Sequence, residues 1–148
     1  MATCVESYLK FGNKFVSISD FNGVLPDERY IEGAIECSIG DLQIFTIEYW
    51  DLVDQLWAYI IQGLMQLRIG LEYDANFPDQ PLRLRFVPIS QHCVEITIDD
   101  VRHKCDRTAF SQAMAEGATK FFCEMKRLVP SKSKTWDRYI GDARSLLK

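Results

Sequence analysis

A chain of 148 residues with 47% hydrophobic and 26% charged positions has the size and composition of one soluble globular domain, able to bury its own core without a disulfide or metal. Seventeen Lys plus Arg against twenty-one Asp plus Glu leave a net charge of -4, which argues against nonspecific binding to nucleic acid or anionic lipid and favours a basic partner. No basic leader followed by an apolar run opens the sequence, so no secretory signal is expected and the cytoplasm is the expected compartment.

Val5, Ser7, Leu9 and Phe11 alternate with Glu6, Tyr8 and Lys10, and Gly12-Asn13 then offers a turn before residues 15–19, which predicts a hairpin. Residues 20–29 hold the turn formers Asn22-Gly23 and Pro26-Asp27. In the next run Ile31, Gly33, Ile35, Cys37 and Ile39 share one strand face, and Tyr30, Glu32, Ala34, Glu36 and Ser38 share the other. Gly40-Asp41 turns the chain into a short strand over residues 42–45.

Residues 46–67 carry Tyr49, Val53, Leu56, Trp57, Ile60, Leu64 and Leu67 at helical spacing, opposite a polar side of Glu48, Asp51, Gln55, Ala58, Gln62 and Gln66. This predicts a long core helix with Thr46 as its N-cap and with both Trp50 and Trp57 buried. Residues 72–81 contain Asn76, Pro78, Asp79, Gln80 and Pro81, which predict an irregular loop pinned by Tyr73 and Phe77. Leu82, Leu84 and Phe86, then Val94, Ile96 and Ile98, alternate with polar residues and predict a hairpin bent at residues 89–92. Asp99-Asp100 interrupts, and residues 101–105 continue past a bulge or form their own short strand.

Asp106 or Thr108 can cap a second long helix with the stripe Phe110, Met114, Ala118, Phe121, Phe122, Met125 and Leu128. Gly117 within it costs about 1 kcal/mol relative to Ala unless it permits close packing on the sheet or the first helix. Pro130 stops this helix, residues 131–134 read as a tether, and Trp136, Ile140, Ala143 and Leu147 mark a short C-terminal helix docked through its Trp. Strand pairs joined by tight turns and separated by two long helices predict an α+β fold: a mostly antiparallel sheet with the helices mainly on one face, in a single domain over residues 1–148.

Chemistry is weakly signalled. Cys4, Cys37, Cys93, Cys105 and Cys123 include no Cys-x-x-Cys pair and are odd in number, so a disulfide framework is not expected. His92-Cys93 and His103-x-Cys105 could in principle build a thiol nucleophile or metal site, but the spacing fits neither zinc ligation nor a triad and reads better as structural. Asp99-Asp100 reads as a solvated turn rather than an acid–base pair. The glycines are scattered and form no phosphate loop, and no metal or cofactor is expected. Arg83 and Arg85 share a strand face, where Glu32, Glu36 and Glu95 could be cross-strand partners.

The strand over residues 30–38, the aromatic helix from Tyr49-Trp50 to Leu67, the Asn76-Phe77-Pro78-Asp79-Gln80-Pro81 loop and the second helix ending near Leu128 together resemble the bacterial immunity proteins of contact-dependent growth-inhibition and polymorphic toxin systems. The resemblance implies a small, acidic, cytosolic, non-enzymatic α+β protein that inhibits one cognate toxin by covering its active site or a required surface. A nuclease toxin presents a basic cleft, so carboxylates offered by Glu32, Glu36, Asp74, Asp79, Asp99 and Asp100, with Tyr30, Tyr73 or Phe77 as an aromatic anchor, are the expected toxin-binding set. The rival readings are a secretion chaperone with an exposed apolar groove and a hydrolase using Cys93, His92 or His103.

Overall fold

The computed structural model describes residues 2–148. Strand β1 (Thr3–Phe11) turns through Gly12-Asn13 into β2 (Lys14–Ser17), in the register Leu9 with Val16 and Phe11 with Lys14. A single 3-10 turn and a loop lead to β3 (Glu32–Ile39), which pairs antiparallel with the other side of β1 from Thr3–Ile39 to Leu9–Gly33. Strand β4 (Leu42–Phe45) folds back on β3, giving the order β2-β1-β3-β4.

The next segment departs from the expected long helix. Thr46 caps only a 3-10 turn over Ile47–Tyr49, its hydroxyl accepting from the Glu48 amide at 3.3 Å. The chain then extends as β5 (Asp51–Leu52), paired with β3 at Gly33 and Glu32, before α1 (Val53–Arg68) begins. The stripe from Val53 to Leu67 is buried as its spacing requires, but Tyr49 and Trp50 lie outside the helix. Trp50 is half-buried under Lys10, whose Nζ lies 4.1 Å from the ring centroid. Gly33 makes the junction possible, because a Cβ there would sit 2.1 Å from the Tyr8 carbonyl oxygen and 2.8 Å from Val53 Cγ1.

A second antiparallel sheet follows as a meander of β6 (Tyr73–Asn76), β7 (Arg83–Pro88), β8 (Cys93–Ile98) and β9 (Val101–Asp106). The expected class is therefore found, with the strands divided between two sheets. Strand β6 occupies part of the stretch read as loop, and Asp99-Asp100 forms the tight turn between β8 and β9, with Asp99 at φ 57°. Helix α2 (Arg107–Leu128) is capped by Asp106, whose carboxylate accepts from the Ala109 amide at 2.7 Å. In place of a tether, a 3-10 turn over Pro130–Lys132 runs straight into α3 (Ser133–Ser145).

The two long helices touch each other and both sheets. Trp57 of α1 is fully buried, and its indole N–H donates to Ser7 Oγ on β1 at 2.9 Å, so the ring brings no unpaired polar atom into the core. From it an aromatic chain runs through Phe121 (6.4 Å) and Phe122 to Trp136 (5.7 Å), the residue that docks α3. Gly117 serves close packing, because a Cβ would meet Val5 Cγ1 at 2.4 Å and Trp57 at 3.1 Å. Trp57→Ala is expected to cost about 3–5 kcal/mol in urea unfolding, whereas Trp50→Ala outside the core costs about 1 kcal/mol or less. Equal costs for the two would contradict this division of the tryptophans.

Candidate functional site

The site begins where two strands part. Pairing of β1 with β3 ends at Leu9–Gly33; beyond it β1 continues with β2 to Phe11–Lys14, while β3 ends at Glu32, held along its opposite side by β5. Between the diverging backbones lies a cleft of about 360 Å³, walled by Leu9, Phe11, Leu25, Pro26 and Ile31 and edged by Lys10, Asp27, Tyr30 and Glu32. The segment before β3 closes one side. Asp27 Oδ1 accepts from the Arg29 amide at 2.9 Å and the Asp27 carbonyl accepts from the Tyr30 amide at 3.2 Å, so residues 27–30 form a tight turn that delivers Tyr30 to the rim.

Tyr30 is 48% exposed, and its hydroxyl donates to Asp79 Oδ2 at 2.9 Å. The hydrogen bond to Asp79 and the negative charges of Asp79 and Glu32 push the phenol above its ordinary value. Asp79 is itself held in place. Its amide donates to both carboxylate oxygens of Asp51 at 3.0 and 3.2 Å, and the Gln80 amide donates to Asp51 Oδ2 at 2.8 Å. Asp51 also accepts from the Leu52 amide at 2.6 Å and is 1% exposed. A carboxylate this buried needs such donors, and they fix the loop carrying Asp79 to the strand before α1. The loop is closed further by Phe77 N–H to the Leu82 carbonyl and by the burial of Phe77.

The structure thus brings together Tyr30, Glu32 and Asp79 from the expected binding set. The rest are dispersed. Glu36 accepts from the Tyr8 hydroxyl at 2.6 Å, which drives that phenol up to about 12. Asp74 pairs with Arg83 and, at 3.6 Å, with Arg85, which also meets Glu72 at 3.6 Å. The charge ladder on β7 is present, but its partners come from β6 and the residue before it rather than from Glu32, Glu36 or Glu95. Asp99 and Asp100 are exposed in their turn near Tyr49, whose phenol is raised by burial first and then by Glu48, Asp100 and Asp99. Tyr73 and Phe77 are core side chains, 7% and 4% exposed, with Tyr73 packed on Phe86 at 5.8 Å. Neither ring is available as a surface anchor, which leaves Tyr30.

Periodicity predicts Asp51 on the solvated side of a helix, whereas the structure buries it in a two-residue strand. The usable signal was that the helical stripe is regular from Val53 onward without Tyr49. Of the residues considered for chemistry, Cys105 is held up to about 11 and Cys37 up to about 12, in both cases chiefly by burial, so both thiols stay protonated at neutral pH. His92 is exposed in the β7–β8 bend and His103 faces Ile96 across the ladder. Among the described residues no group of three His, Cys, Asp or Glu is placed to hold a metal ion, and no helix is long and apolar enough to cross a membrane.

Asp51→Ala leaves the part-buried amides of Asp79 and Gln80 without their acceptor and is expected to destabilise the protein by about 1–3 kcal/mol. Chemical denaturation measures this, and a loss below about 0.5 kcal/mol would mean that the loop holds without the carboxylate. No protein-family model, no curated protein and no solved structure matches the chain.

Proposed function

We propose that this protein is a non-enzymatic immunity protein that binds a cognate bacterial toxin domain in the cytoplasm and blocks its active site or a surface it requires. One observation carries the reading. An exposed aromatic, Tyr30, is hydrogen-bonded to Asp79 near Glu32, with Asp79 held in place by the buried Asp51. A preorganised aromatic centre with a carboxylate rim suits an inhibitor, because ordering costs are met before binding and the charges steer a basic partner. The net charge of -4 acts in the same direction. A nuclease is the toxin class that fits best, since its cleft is basic in order to hold phosphates.

The reading expects a toxin domain encoded immediately upstream, and the test is titration against it, with growth protection measured in parallel; the absence of such a gene would count against the proposal. Tyr30→Ala is expected to weaken binding by about 2 kcal/mol, roughly thirtyfold, and Asp79→Lys to slow association at low salt. Single replacement of His92, Cys93, His103 or Cys105 should leave protection intact. Full protection by a folded Tyr30→Ala, Asp79→Lys double variant, or its loss in a folded Cys93→Ser or His103→Ala variant, would overturn the proposal.

A further inference from the structure

We propose that the cleft at the β1–β3 fork is a socket for one arginine side chain projecting from the toxin domain; this names the contact chemistry within the immunity reading and rests on it. Three of the four polar side chains on its edge are already engaged. Lys10 Nζ lies over the Trp50 ring at 4.1 Å, Asp27 holds the Arg29 amide at 2.9 Å with the Arg29 guanidinium 3.8 Å away, and Tyr30 donates to Asp79 at 2.9 Å. Glu32 is the exception: among the described residues it has no side-chain hydrogen bond and no ion pair, and its charge registers on Tyr30. The same cleft is walled by the apolar side chains of Leu9, Leu25 and Ile31, all buried.

An unpaired carboxylate on the edge of an apolar-walled cleft that an exposed phenol also lines complements a long methylene stem that ends in a planar cation. Guanidinium fits this better than ammonium, because it can meet the Glu32 carboxylate with two parallel N–H donors while stacking on the Tyr30 ring. A volume of about 360 Å³ lies at the small end of ligand clefts, which suits a single inserted side chain. Of the two carboxylates on the edge, Asp27 already faces the Arg29 amide and guanidinium, and Glu32 is the one without a partner.

The experiment uses the full-length 15N-labelled chain and N-acetyl-arginine methylamide as probe, with the norleucine analogue as the uncharged control. Amide shifts are expected to cluster at Gly12, Tyr30, Ile31 and Glu32, and to fall away for the norleucine analogue and for Glu32→Gln in a protein whose spectrum is otherwise unchanged. Scattered shifts, or equal affinity for norleucine, would overturn the socket. In parallel, Glu32→Gln should weaken binding of the upstream-encoded toxin domain about tenfold or more, while Glu116→Gln on the exposed side of α2 should not. Undiminished toxin binding by Glu32→Gln overturns the socket and leaves the immunity reading standing. Failure of the wild-type chain to bind the toxin domain overturns the immunity reading and, with it, the named occupant.

Discussion

The buried carboxylate of Asp51 is the constraint on which the rest of the arrangement depends. At 1% exposure it must be satisfied from within the protein, and its donors are the amides of Leu52, Asp79 and Gln80. Those donors lie on either side of α1 in the chain, so one side chain ties the start of the helix to the loop that precedes β7. Because Asp51 and Leu52 also pair with β3, the same residue sets the first sheet, the central helix and the Asp79 loop in one frame.

That frame accounts for the character of the candidate site. Residues that diverge at the β1–β3 fork would otherwise be a frayed sheet edge. Here β5 pairs with the far side of β3, the 27–30 turn closes the cleft, and Tyr30 bridges to Asp79. Tyr30 and Asp79 are separated by 49 positions, yet they form one surface because Asp51 positions the second of them. Binding to such a surface loses little freedom, which is how a modest contact area can reach high affinity.

Features governed by local periodicity were legible in the sequence. The β1–β2 hairpin, the alternation of β3, the Asp106 cap and stripe of α2, and the docking of Trp136 all follow from spacing and capping chemistry. The misreadings share a cause, which is that a partner distant in sequence overrode a local preference. Thr46 is a good cap, but pairing of β5 with β3 delays the helix to Val53 and leaves Trp50 outside the core. Asn76, Pro78 and Pro81 suggest a loop, but residues 73–76, Asn76 among them, add an edge strand to β7, which is why Asp74 is the partner of Arg83 and Arg85. Of the site, the residue types Tyr30, Glu32 and Asp79 were legible as exposed candidates; their convergence, the cleft beside them and the role of Asp51 were not, because each depends on tertiary pairing.

Asp51 locks the Asp79 loop to the fold, and native-state hydrogen exchange at the Asp79 and Gln80 amides measures this directly. A locked loop predicts that both amides are strongly protected and open with free energies close to that of the Val53 amide, which is bonded to the Ile31 carbonyl at 2.9 Å. Exchange of both amides within about tenfold of the unstructured rate, with Val53 still protected, would contradict it.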